Sequence, residues 1–148
     1  MAEFLVRAGA LVLVSMFVVL VVWSGRRFVE AQRRRALAAV PLSPGVDTSA
    51  SLSQVRILAF SSDDCRQCHE MQIPALQRVL DARGSKVSVA EVDAPNSPDL
   101  TQRYRIMTLP STVIMDASGR AHAVNYGFAN TQRLLDQVDE VLALASVS

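Results

Sequence analysis

Only two cysteines occur in this chain of 148 residues, and they stand together as Cys65-Arg66-Gln67-Cys68. On a helix, Cys68 lies about one turn beyond Cys65, close enough to form a disulfide without moving the backbone. Two cysteines cannot make a disulfide scaffold, so their close spacing points to redox chemistry or to a metal or haem site. With His69 next in line, the stretch also satisfies the Cys-x-x-Cys-His pattern of c-type haem attachment, with thioethers on both sulfurs and His69 as an iron ligand. A structural zinc site needs four ligands. Cys65, Cys68 and His69 leave that set incomplete, and His122 is far along the chain.

Thiol–disulfide exchange requires one sulfur to be an accessible thiolate. The flanking residues predict how that is arranged. Val55 to Phe60 is a short apolar run that reads as a buried strand. Ser61 to Asp64 is a polar turn, with Ser62, Asp63 or Asp64 as candidate N-cap. Cys65 to Ala82 then reads as a helix with Met71, Ile73, Leu76, Val79 and Leu80 as its apolar positions, a kink at Pro74, and Gly84 as its stop. Cys65 therefore falls at a helix N-terminus, where unpaired N–H groups and the helix dipole favour the thiolate and lower its pKa. Protonated Arg66 and His69 would add to this, Asp63 and Asp64 would oppose it, and Gln67 completes the set of tuning residues.

Downstream, Lys86 to Val92 reads as a strand and Pro95-Asn96-Ser97-Pro98 as a turn into a short helix, Asp99 to Tyr104. Thr112 to Met115 and Ala121 to Asn125 read as strands joined in a hairpin across Asp116 to Arg120. Asn130 caps a last helix whose apolar face is Leu134, Leu135, Val138, Val141, Leu142 and Ala145. The order βαβαββα implies an α/β fold with a mixed central sheet and helices on both faces.

Strand, Cys-x-x-Cys, helix, a strand ending in Val92-Asp93, then Tyr104 to Met115 with Leu109-Pro110, and the turn Asp116-Ala117-Ser118-Gly119-Arg120 together resemble the thioredoxin family from about Val55 to about Leu144. The resemblance implies a trimmed thioredoxin-like fold and a thiol–disulfide oxidoreductase, more a reductase than an oxidase. Cys65 would be the attacking thiol and Cys68 the resolving one. It also implies a cis bond before Pro110, with Thr108, Leu109 and Pro110 forming a wall of the substrate groove, where Leu109 offers its backbone to a substrate chain. Three positions depart from the family pattern. Asp64 stands where Trp is common, Arg66-Gln67 replaces Gly-Pro, and Ala59 stands where a buried acid assists the resolving cysteine. Without that acid, the Cys68 proton would pass to water or to another base such as His69.

Ahead of this domain, Phe4 to Trp23 is a nearly unbroken apolar run. About 20 such residues cross a bilayer's hydrocarbon core. Arg7 can snorkel to one headgroup layer and Trp23 suits the other. The expectation is an uncleaved transmembrane anchor over residues 1–25, a basic flank and linker over 26–54, and the thioredoxin-like domain over 55–148. The linker proper runs from Pro41 to Ser53. Arg26, Arg27, Arg33, Arg34 and Arg35 follow the apolar run, and the positive-inside rule then places the domain in the cytoplasm, with an extracytoplasmic domain as the alternative.

A net charge of +1 supplies no basic field for nucleic acid. The expected partners are protein disulfides, membrane lipid along residues 4–23, and an electron donor such as thioredoxin reductase or a membrane thiol relay. Neither a metal nor an organic cofactor is required, because the electrons reside on Cys65 and Cys68. The alternative of a different class is a redox-inactive, membrane-tethered binding or chaperone-like module.

Overall fold

The computed structural model describes residues 2–37 and 53–147, leaving out the side chains of residues 2–11, 29, 32, 33, 35, 36 and 147. The expected linker therefore lies outside the described residues apart from Ser53. The chain divides into two units, residues 1–34 and 35–148.

The first unit is helical. Helix α1 spans Ala2–Leu37, so it runs on through residue 25, where the expected anchor gives way to the basic flank. Good helix formers without proline (Ala, Arg, Gln, Glu, Leu) fill most of 26–37, and Glu30 pairs with Arg34 one turn on at 3.7 Å. Among the described residues no helix is long and apolar enough to cross a membrane. The described apolar side chains, Val12 to Trp23, are all exposed, and at 1.5 Å per residue they cover only about 18 Å of the roughly 30 Å a bilayer core requires. The side chains of 4–11, Arg7 included, lie outside the described residues.

The second unit is built on four strands: β1 (Val55–Ser61), β2 (Val87–Asp93), β3 (Ser111–Asp116) and β4 (Ala121–Tyr126). Their order is β2-β1-β3-β4. β1 and β2 are parallel, while β1–β3 and β3–β4 are antiparallel, giving the mixed sheet expected. Helices α2 (Ile73–Arg83) and α4 (Thr131–Val147) cover one face, and α3 (Pro98–Arg103) follows β2.

Strand alternation divides the core in two. Val55, Ile57 and Ala59 of β1 join Ile114 and Ala123 beneath Ala75, Leu76 and Val79 of α2 and Leu134, Val138 and Val141 of α4. Leu58 and Phe60 point the other way, onto Val113, Met115, Val124 and the buried Tyr104, whose ring meets Phe60 edge-on at 6.3 Å. Arg83 grips the Asp139 carboxylate with two bonds, at 2.7 and 2.6 Å, and so ties α2 to α4. A second polar tie joins α4 to the sheet. Asn125 and Gln137 exchange reciprocal amide bonds at 2.8 and 3.0 Å, Arg133 donates to Asn125 at 2.9 Å, and Asn125 donates to Thr112 at 3.0 Å.

Local signals account for most element ends. Gly84 closes α2 with φ 56°, a conformation that suits a residue without Cβ. The Asn130 side chain caps α4 through the Arg133 N–H at 2.9 Å. Helix α3 begins at Pro98, one residue before the expected start, because proline fits the first helical turn. It ends at Arg103, after which Arg105 adopts φ 52°. The N–H groups of Arg105 and Ile106 then close back onto Gln102 and Thr101. Ala145, expected on the apolar face of α4, is exposed, since the core beneath that helix ends at Leu142.

The β3–β4 hairpin turns on Asp116. Its carboxylate accepts from the Ser118 and Arg120 N–H groups at 2.9 and 3.1 Å, from the Ser118 hydroxyl, and from His122 at 2.8 Å. Register then fixes the far end of the sheet. Ser111 lies opposite both Phe60 and Tyr126, and Ser61 lies opposite Asp93. The exits of β1, β2 and β4 and the entry of β3 therefore gather at one end, where the two cysteines follow.

Candidate active site

The chain leaves β1 through Ser62, Asp63 and Asp64 and re-enters helix at Arg66. None of the three residues expected to cap this helix does so. Cys65 takes the capping position: its carbonyl accepts from the N–H groups of Cys68 and His69 at 3.0 and 3.3 Å, and its sulfur accepts from the Cys68 N–H at 3.2 Å. A side-chain acceptor receiving the third N–H of the helix is the usual geometry of an N-cap. A thiolate on Cys65 would receive that N–H and the positive end of the helix.

From Cys68 to Gln72 the helix widens into a single π turn, closed by the Ile73 N–H on the Cys68 carbonyl, before α2 proceeds. Pro74 occupies the first turn of α2. It has no N–H to donate, and in a regular α-helix its ring would press on the carbonyl of residue 70. The wider turn relieves that conflict, and it stands where a kink was expected. π turns of this kind recur at functional sites.

Cys65 and Cys68 are joined as a disulfide with their Cα atoms 5.3 Å apart. Cys65 is partly exposed, whereas Cys68 is 1% exposed. An incoming sulfur can therefore reach Cys65 and is shielded from Cys68. The pair can open to two thiols and close again within one turn of backbone.

The remaining expected residues fall into two groups. Asp64, Arg66, Gln67 and His69 are all exposed around the turn. Arg66 is held by Glu70 at 2.7 Å, Gln67 reaches the Met71 sulfur at 3.9 Å, and a His69 ring nitrogen lies 3.2 Å from the Asp63 carbonyl. Thr108, Leu109 and Pro110 form the entry to β3. The Leu109–Pro110 peptide is cis, Pro110 is buried, Leu109 half-buried and Thr108 exposed. The Thr108 carbonyl is fixed by the buried Ser111 hydroxyl at 2.7 Å, while among the described residues the Leu109 backbone makes no hydrogen bond. Ala59 sits in the apolar core under α2 and α4. A c-type haem domain of this size would be mostly helical, whereas this domain is built on a four-stranded sheet. His122, the other histidine, is engaged by Asp116 at the opposite end of the hairpin.

Sequence reasoning missed Gln72, which is 2% exposed and bonded to Ala129. Its signal was present. Positions 72, 75, 76 and 79 follow the i, i+3, i+4, i+7 spacing of a buried stripe. Met71 and Ile73, expected inside for their apolar type, lie to either side of that stripe and are 44% and 39% exposed.

The sequence model of the thioredoxin family matches residues 47–140, more than half of the chain. The chain belongs to the thioredoxin family. It is 31% identical over 78 residues to a thioredoxin of Alicyclobacillus acidocaldarius subsp. acidocaldarius, a match covering 53% of this chain and 72% of the relative. It is 27% identical over 89 residues to the chloroplastic thioredoxin Y of Oryza sativa subsp. japonica, covering 60% of this chain. The chain spans about half the length of that rice relative, 52%. Among solved structures, a chloroplastic thioredoxin z superposes with a TM-score of 0.54 at 26% identity, covering 64% of this chain and 83% of that one.

Proposed function

We propose that this protein is a membrane-anchored thiol–disulfide oxidoreductase that reduces disulfides in partner proteins. The observation that carries the reading is the unequal placement of the two sulfurs: Cys65 partly exposed at the cap of a helix, Cys68 buried one turn behind it. In the dithiol form, the Cys65 thiolate attacks one sulfur of a partner disulfide. A mixed disulfide forms, and the partner's other sulfur leaves as a thiolate and takes a proton. Cys68 loses its proton and attacks the Cys65 sulfur. The Cys65–Cys68 disulfide forms and the partner's second thiolate is released. Two electrons pass from the protein to its partner, and a donor dithiol, such as a thioredoxin reductase or a membrane thiol relay, restores the starting state. With Ala59 apolar, the Cys68 proton would pass to water or to another base such as His69.

The partner chain would lie along Thr108, Leu109 and Pro110, pairing with the open backbone of Leu109 as an added strand. The anchor reading rests on the apolar run Phe4 to Trp23, on the exposed side chains Val12 to Trp23, and on the arginines that follow. By the same charge bias the domain faces the cytoplasm.

The test is a trap. Cells carrying Cys68→Ser should accumulate the protein in mixed disulfides that disappear on reduction, and Cys65→Ser should form none. Absence of adducts with Cys68→Ser, together with a biological role that survives Cys65→Ser, would instead favour a binding module. Orientation is read separately, by a membrane-impermeant thiol reagent added to intact cells after mild reduction. Labelling before lysis would overturn the cytoplasmic placement.

A further inference from the structure

Four polar residues are buried among the described residues: Gln72, Ser111, Thr112 and Asn125. The last three belong to β3 and β4. Gln72 alone sits on the turn that carries Cys68. Its carboxamide spends both ends on a single residue 57 positions away: Nε2 donates to the Ala129 carbonyl at 3.1 Å, and Oε1 accepts from the Ala129 N–H at 3.0 Å. The result is a two-point bond, like a fragment of strand pairing, made by a side chain.

Ala129 belongs to the loop Gly127 to Asn130, which leaves β4 at the cysteine end of the sheet. Gly127 adopts φ 83°, which glycine tolerates and other residues rarely do. Beyond it the loop has one buried residue, Ala129, and next to that an apolar side chain facing solvent, Phe128, 38% exposed. Met71 and Ile73, either side of Gln72, are exposed as well. A buried amide pair thus lies beneath an apolar rim beside the dithiol. A leucine or methionine at position 72 would extend the apolar stripe of Ala75, Leu76 and Val79 but would leave the N–H and carbonyl of the buried Ala129 without these partners, so the glutamine is favourable because its bonds are made.

We propose that Gln72 is a positioning residue. It holds the Gly127 to Asn130 loop against the dithiol turn, so that Phe128 offers a fixed apolar contact to the polypeptide flanking a partner's disulfide. The proposal rests on the oxidoreductase reading and adds a requirement to it: protein disulfides depend on Gln72, and small disulfides do not.

The experiment compares the full-length reduced chain with Gln72→Glu, using insulin as a protein disulfide and dithiobis(nitrobenzoate) as a small one. An ionised glutamate still accepts from the Ala129 N–H but confronts the Ala129 carbonyl with a second acceptor. At pH 8 the KM for insulin should rise about tenfold, while the rate with the small disulfide stays within about twofold. A buried carboxyl titrates above its usual range. As the pH is lowered toward about 5 the protonated group can donate again, and the KM ratio of variant to native should fall back toward one. A purely structural role would weaken both reactions together. Unchanged KM in an active protein, or equal losses with both disulfides, overturns the proposal. A native chain inert toward both disulfides removes the oxidoreductase reading and this proposal with it. Should the variant fail to fold, hydrogen exchange on the native protein decides: the Ala129 amide should exchange slowly, and exchange as fast as an unbonded loop amide overturns the latch.

Discussion

Replacing Asp116 by asparagine tests how the hairpin is held. The two side chains have the same shape, and an amide oxygen can still accept from the Ser118 and Arg120 N–H groups, so the change removes mainly the charge. Burial pushes the Asp116 carboxyl up, but the bonds from Ser118, His122 and the Arg120 N–H outweigh it and hold the group at about 2, below its ordinary 3.8. At ~1.4 kcal/mol per pH unit, that drop corresponds to about 2 kcal/mol of folding stability. A depressed carboxyl stabilises the fold fully above its unfolded value and progressively less as pH falls toward its folded value. The contribution should therefore be intact at pH 7 and lost between about pH 4 and pH 2. Urea unfolding should be followed by far-UV ellipticity, because the single tryptophan, Trp23, lies on α1, outside the domain. The native chain should exceed Asp116→Asn by about 2 kcal/mol at pH 7, and the gap should narrow on acidification. Asp116 pairs with Val55 and Ser111 with Phe60, which sets the turn ~20 Å along the strand from Pro110. The exchange rate of the folded variant should match the native one. Equal unfolding midpoints at pH 7, or a gap that stays constant down to about pH 2, would refute the argument.

Three further outcomes are expected. Asn130→Ala should lower stability by about 1 kcal/mol in the same urea assay, since it removes the α4 cap and leaves the Arg133 N–H without its acceptor. Asn125→Ala should cost on the order of 2 kcal/mol or more, because it strips partners from Thr112, Arg133 and Gln137 at a site 4% exposed; a change below about 0.5 kcal/mol would mean that the network adds little. In the reduced protein, limiting iodoacetamide should modify Cys65 well before Cys68, as peptide mass mapping will show; the reverse order would contradict the assignment of the attacking thiol.

Much of the site was legible because its signals are local. Cys65 and Cys68 are three positions apart, and a strand-to-helix junction can be read from the change of period between Val55–Phe60 and the helix that follows. The Asn130 cap needed only the four residues after it. Other features depend on what a helix meets once it is packed. The spacing of 72, 75, 76 and 79 marks a buried stripe, but apolar type favoured Met71 and Ile73, and only the approach of Ala129 makes a buried glutamine favourable. The cap at Cys65 was missed because serine and aspartate cap more often, and here Ser62, Asp63 and Asp64 all lie in the turn before the capping position. Pro74 announced a distortion without saying whether it would be a bend or a wider turn.

Read from the residues alone, two thiols stand at a helix start behind a buried strand, within a βαβαββα order whose last helix is amphipathic. Periodicity, proline and capping act over four residues or fewer, so they survive without the rest of the molecule. Packing, by contrast, buries Cys68 while leaving Cys65 open, brings Pro110 to the same end of the sheet, and joins Gln72 to Ala129. Each of these depends on strand register and on contacts across tens of residues, where the stabilising bond exists only after the chain between has been closed into place.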